Sequence, residues 1–194
     1  MGSVCFIVDA IITGALLPCH LHSIRKSEFA GSMHPILVTG IQYNTRLDYI
    51  EQHYNTHCLA TFALPLGARF NEAAFASQAD WLVIALQKQP LPSSLWDSLY
   101  SELDTSTLDA LIIGLDPPTF SERILQRLLA SALLLPPYIA VRRSWFERLG
   151  GFDPELGKNI AINDLLKRLY TCPTRLKTYN CQLISQENLI GSSN

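Results

Sequence analysis

Apolar residues along this chain fall into short unbroken runs, separated by stretches in which they recur at helical spacing. Val4–Val8 (VCFIV), Pro35–Val38 (PILV), Leu59–Ala63, Trp81–Leu86 (WLVIAL), Leu108–Leu115 (LDALIIGL) and Tyr138–Val141 read as strands. Leu16–Phe29, weakened by Pro18, reads as a helix, as do Leu47–Tyr54, Asn71–Ala79 and Ser93–Leu103. Phe120–Leu135, Ser144–Leu149 and Asp164–Tyr170 follow as further helices. The boundaries have local causes. Ser93 or Ser94 supplies an N-cap oxygen, Pro136-Pro137 stops the long apolar helix before it, and Gly150-Gly151 suits a left-handed C-cap. Trp81–Leu86 has no polar alternation. It therefore reads as a strand covered on both faces, at the centre of a sheet.

Strands that alternate with helices predict an α/β fold, a mostly parallel sheet with helices on both faces. No repeat, linker or low-complexity tract divides residues 1–194, so one domain is expected. In such sheets ligands bind beyond the carboxyl ends of the strands. That directs attention to the segments after Val38 and after Leu86.

Composition narrows the function classes. Among 194 residues, 48% are hydrophobic and 16% charged, which fits a well-buried globular chain. The net charge of −2 and the lack of a basic run give nucleic-acid binding no electrostatic support. Five cysteines, Cys5, Cys19, Cys58, Cys172 and Cys181, form no CxxC and no even framework, so a reducing, cytoplasmic setting is expected. The apolar stretch Met1–Leu17 is broken by Asp9 and preceded by no Lys or Arg, which argues against export. No run reaches the roughly 18 apolar residues of a membrane span.

Several motifs carry a resemblance. Tyr138–Leu156 reads YIAVRRSWFERLGGFDPEL: a strand, paired arginines, a short helix, then Gly-Gly-Phe-Asp. Further on comes Asp164-Leu165-Leu166-Lys167-Arg168-Leu169. Upstream, Gly67-Ala68-Arg69-Phe70-Asn71 precedes an Ala-rich helix, and Asp80-Trp81 opens the central strand. Together these segments resemble family 2 glycosyltransferases of the Rossmann-like GT-A type. The likeness is to small bacterial members, whose Leu-Pro ending after the metal motif is matched by Pro90-Leu91-Pro92. It covers residues 35–180 and implies a nucleotide-sugar donor.

Three positions depart from that pattern. Where the family carries an Asp that contacts the nucleotide base, this chain has Thr39, and Asn44 at the next acidic position. Where Asp-x-Asp holds a divalent metal, it has Leu86-Gln87-Lys88. Where Glu-Asp supplies the catalytic base, it has Ala161-Ile162. A hard cation needs oxygen ligands, which Leu86 and Lys88 lack. An inverting transfer needs a proton acceptor near the acceptor hydroxyl, which Ile162 cannot be. The resemblance thus implies a degenerate transferase-like domain with no metal and no cofactor, serving as a binding or scaffolding partner in a protein complex or homo-oligomer.

Two alternatives stand beside it. One is an active, metal-independent transferase in which Lys88 neutralises donor diphosphate charge, with Asp164, Asp153 or Glu155 as the base. The other is an unrelated α/β binding module. Candidate donor-binding residues are Lys88, Arg69, Asn71, Arg142 and Arg143. The two arginines of the pair are as well suited to solvent as to a diphosphate, and Arg69 and Asn71 to ordering a loop. Asp164 and Arg168 have the spacing of a helix-surface ion pair. His53 and His57 have the i,i+4 spacing of metal ligands on one helix face but no third ligand; Cys19, His20 and His22 are read likewise as incidental. Ile41, Leu86 and Ile162 in place of acids predict an apolar donor cleft, bounded by residues 39–44 and 86–89 with Arg142 and Arg143 beyond, and suited to a protein contact.

Overall fold

The computed structural model describes residues 2–27, 33–42, 45–62, 64–105, 107–114 and 135–179. Strand β1 (Val4–Asp9) runs into a short helix α1 (Ala10–Thr13), a 3-10 turn and α2 (Leu17–Lys26). Then come β2 (Ile36–Thr39), α3 (Thr45–Tyr54), β3 (His57–Cys58), α4 (Leu66–Ala76), β4 (Trp81–Ala85) and α5 (Ser93–Thr105). The chain continues through β5 (Ala110–Ile113), β6 (Tyr138–Arg142), α6 (Arg143–Arg148), α7 (Lys158–Thr171) and β7 (Leu176–Tyr179).

Among the described residues these strands form one sheet in the order β3-β2-β1-β4-β6-β5-β7. β1, β2, β3 and β4 pair in parallel, as do β5 and β7. β6 runs antiparallel to both neighbours. The architecture is therefore the α/β arrangement that the alternating pattern predicts, and Trp81–Ala85 is its central strand.

Strand side chains alternate between two cores. Val4, Phe6 and Val8, with Trp81 and Val83, face α2 and α5 through Leu21, Ile24, Trp96 and Leu99. Cys5, Ile7, Leu82 and Ile84 face α4, α6 and α7 through Phe70, Phe146 and Leu165. Burial on both faces is why β1 and β4 read as continuous apolar runs rather than alternating ones.

The element boundaries differ from the sequence reading most clearly in four places. The third strand is His57–Cys58 rather than Leu59–Ala63, because after Leu59 N–H donates to Val38 carbonyl the chain turns at Thr61. α4 begins at Leu66, behind Pro65, so Arg69 and Asn71 stand within the helix. α7 begins at Lys158, ahead of Asp164. β7, a half-exposed edge strand carrying Lys177, has too few apolar residues to announce itself. The helix read at Phe120–Leu135 falls, apart from Leu135, outside the described residues.

Candidate functional site

The sheet changes direction of winding between β1 and β4, so their carboxyl ends flank the crevice where an α/β sheet binds ligands. At the end of β1 stands Asp9, fully buried. Its carboxylate caps α1, accepting the N–H groups of Ile11 and Ile12 at 3.0 and 2.9 Å. It also accepts the Thr39 hydroxyl at 2.9 Å. Arg69 reaches it from α4 with two prongs, Nε to Oδ2 at 2.6 Å and Nη2 to Oδ1 at 3.2 Å. The third guanidinium nitrogen donates to Leu64 carbonyl at 2.6 Å.

Gly40 completes this cluster. Its N–H donates to Thr61 Oγ1 at 2.9 Å, its φ is +70°, and a Cβ there would stand 2.8 Å from Asp9 Oδ2. Buried charges persist only when paired and hydrogen-bonded, and here every partner comes from the chain itself. Thr39 spends its hydroxyl on Asp9, and Arg69 spends its donors on Asp9 and Leu64. Sequence reasoning missed Asp9 as the partner of Thr39 and Arg69. Its one visible signal was a lone carboxylate ending an apolar strand.

The segment after β4 is tied down at several points. Leu86 is buried, and its N–H donates to Pro137 carbonyl at 2.8 Å. The Gln87 amide donates to Leu135 carbonyl. Lys88 carbonyl lies 2.9 Å from Nε2 of the fully buried His20. A carbonyl only accepts, so Nε2 carries the proton, and Nδ1 accepts the hydroxyl hydrogen of Tyr138. Burial holds the His20 imidazole below its ordinary pKa and pushes the Tyr138 phenol up. The Ser23 hydroxyl donates to Leu91 carbonyl. Lys88 and Gln89 of this segment are exposed.

At the Gly-Gly-Phe-Asp corner the motif residues bind backbone. Asn71 accepts the Phe152 N–H at 2.9 Å and donates to the Phe152 carbonyl at 2.8 Å. Arg168 donates to the carbonyls of Leu149 at 2.5 Å and Gly151 at 2.7 Å, covering the end of α6. It also meets Asp164 at 2.7 Å. Gly67 packs so closely on Asp153 carbonyl that a side chain has no room. Asp153 and Glu155 are exposed, and Asp153 Oδ1 accepts the Glu155 N–H at 2.9 Å. Ala161 and Ile162 lie in the core.

Several expectations need correcting here. Ile41, Leu86 and Ile162 are 8%, 1% and 0% exposed, so they pack inward and line no open apolar cleft. Arg142 and Arg143 do not border the segment after β4. Because β6 is antiparallel to β4, Arg142 pairs with Trp81, at the far end of that strand, and four strand rises separate the two ends by about 13 Å. There Arg142 lies over the Trp81 ring at 4.7 Å and donates to Leu108 carbonyl. Arg143 donates to Ala79 carbonyl and meets Glu147 at 3.2 Å. Nearby, the Asp80 carboxyl is held below the usual range, first by hydrogen bonds from Ser3, then by the two arginines. His53 and His57 do not share a helix face, since α3 ends at Tyr54 and Asn55 turns the chain with φ +48°. His20 and His22 point to opposite sides of α2, one buried and one exposed. Among the described residues no group of three or more His, Cys, Asp or Glu side chains is placed to hold a metal. No described helix is long and apolar enough to cross a membrane.

No family model matches the sequence, and no curated protein matches it. Solved structures do share its architecture. TarS of S. aureus (residues 1–349) superposes with a TM-score of 0.65 at 14% identity, over 92% of this chain and 60% of TarS. The mannosyltransferase PcManGT of Pyrobaculum calidifontis, solved with GDP-mannose and Mn²⁺, gives 0.67 at 15%, over 93% and 55%. A cytidylyltransferase of Leptospira borgpetersenii gives 0.55 at 12%, over 92% and 75%. At these identities the likeness is one of fold. The chain has a Rossmann-like GT-A fold and spans little more than half of each of the first two proteins.

Proposed function

We propose that this is a glycosyltransferase-like domain that has lost metal-dependent transfer and serves as a binding or scaffolding partner, in a complex or as a homo-oligomer. The observation that carries this reading is the state of the donor edge. The position of the base-contacting acid is a buried threonine bound to Asp9. The metal-ligand positions are a core leucine, a tethered glutamine and a lysine. The catalytic-base position is a core isoleucine. Hard cations need oxygen ligands, and no side chain at Leu86 or Lys88 supplies one.

A second reading is favoured by Lys88. Its backbone is fixed by His20 while its ammonium is exposed at the carboxyl end of β4. A nucleotide-sugar diphosphate could be neutralised there without metal, with Asp164, Asp153 or Glu155 as base. Calorimetry with UDP-, GDP- and dTDP-sugars, with and without Mn²⁺, separates the readings. No binding under either condition is expected. Binding that requires Mn²⁺ overturns both, and binding without metal that Lys88→Ala abolishes selects the second. A chain that sediments only as a monomer at micromolar concentration would count against self-assembly.

A further inference from the structure

Helix α2 lays Leu17, His20, Leu21 and Ile24 on the sheet and leaves its other side free of the core. That side, together with the end of α3 and the start of α5, borders a shallow, open cleft of about 460 Å³. Small-molecule sites span ~300–1,000 Å³. The walls are tied to one another. Ser23 on α2 donates to Leu91 carbonyl and accepts the Trp96 indole N–H at 3.2 Å. Arg25 donates to the carbonyls of Tyr54 at 2.6 Å and Asn55 at 2.5 Å. The cleft is therefore built by the fold and needs no ligand to open it.

Its lining combines two chemistries. Lys26, His22, Tyr54 and Ser93 offer an ammonium, an imidazole and two hydroxyls, while Pro18, Leu91 and Pro92 offer an apolar wall. Among the described residues none that line it is acidic, although the chain as a whole carries 17 acidic against 15 basic residues. An ammonium has three donors and no acceptor, and hydroxyls and an imidazole add more. So many donors suit the three oxygens of a phosphate monoester better than the two of a carboxylate, and charge-assisted bonds are the strong ones.

We propose that this cleft binds a small organic phosphate, the phosphate group against Lys26 and His22 and the apolar or ring portion against Pro18, Leu91 and Pro92. The inference does not rest on Lys88, which does not line the cleft, although Leu91 and Pro92 belong to the segment that follows β4.

Phenyl phosphate is the probe, titrated by calorimetry beside inorganic phosphate and benzoate. Phenyl phosphate should bind more tightly than either. The double variant Lys26→Gln, His22→Gln should weaken it by at least about tenfold, a change of ~1.4 kcal/mol. Lys167→Gln, on α7 across the sheet, should leave it unchanged. Cys19 is exposed and lines the same cleft, which gives a local readout. Phenyl phosphate should slow alkylation of Cys19 by iodoacetamide, read by peptide mass spectrometry, and leave that of Cys172 unaltered. No binding at millimolar concentrations, full binding by the double variant, benzoate binding as well as phenyl phosphate, or unprotected Cys19 would each overturn the proposal.

Discussion

Two regions of this molecule stand where the family resemblance places polar residues, and they differ in what occupies those positions. At the Gly-Gly-Phe-Asp corner the motif survives: Asn71 clamps both backbone groups of Phe152, and Arg168 covers the carbonyls of Leu149 and Gly151. At the carboxyl edge of β1, β2 and β4, where the resemblance places acids, stand Thr39 and Leu86, both buried. The difference lies in what each polar group is for. A side chain that satisfies buried backbone is needed by the fold, since an orphaned buried donor or acceptor costs about 1–3 kcal/mol. A side chain that holds a metal or abstracts a proton is needed only by the chemistry, and an apolar residue there packs at no such cost.

Asp9 and Arg69 are the exception at that edge, and they give the comparison its severest test. They lie at the crevice end of the sheet yet are bound to the chain's own groups, with side chains 0% and 8% exposed. Arg69→Met leaves the Asp9 carboxylate buried without its cation, a change that typically costs ~3–5 kcal/mol. Urea unfolding followed by circular dichroism should show that loss. A loss under about 1 kcal/mol, the scale of an exposed pair, would mean that the guanidinium is free to serve a ligand, and the edge would no longer divide as described.

The His20–Tyr138 pair sharpens the same point at intermediate size. Burial lowers the His20 pKa from its ordinary 6.5. The folded state therefore holds the imidazole neutral while the unfolded chain takes up a proton more readily. For such a group the stability is fully present above pH 6.5 and is lost as pH falls from there toward the lowered folded value. The slope reaches at most about 1.4 kcal/mol per pH unit. Urea midpoints should fall between about pH 7.5 and pH 5.5. Phenylalanine at position 20 should remove this part of the slope, although it is less stable at neutral pH for want of the Lys88 and Tyr138 hydrogen bonds. An equal slope in His20→Phe would show that other groups govern this pH range.

The sheet was legible because burial on two faces writes itself as unbroken apolar runs, as in Trp81–Ala85. The motif helices were legible in kind but not in extent. Propensity could not show that α4 starts at Leu66, where Gly67 has no room for a side chain against Asp153. The site was less legible, because its geometry depends on pairings remote in sequence. Nothing near Asp9 announces Arg69, which lies beyond two further strands. The opposite placement of Lys88 and Arg142 follows from β6 being antiparallel, and an apolar run such as Tyr138–Val141 carries no sign of its direction. The apolar cleft failed as an expectation for a related reason: apolar residues beside a sheet's edge need not stay at the surface when the core can admit them.

Asp164 provides the finest discrimination between the two regions, because it belongs by position to the retained motif and by chemistry to the candidate bases. In the structure it accepts from Arg168 at 2.9 and 2.7 Å, with side chains 35% and 26% exposed. Half-exposed i,i+4 pairs contribute only ~0.3–0.5 kcal/mol, and Arg168 keeps its bonds to Leu149 and Gly151 without it. Asp164→Asn should therefore shift the unfolding free energy by less than about 0.5 kcal/mol. Its amide oxygen can still accept from the guanidinium, while its capacity as a base is gone. Should a transfer activity be measurable in the wild-type chain, a fall of about a hundredfold or more in Asp164→Asn with unchanged stability would mark the residue as a general base. Retained activity, or a stability loss matching that of Arg168→Ala, would assign it to the helix surface or to the scaffold.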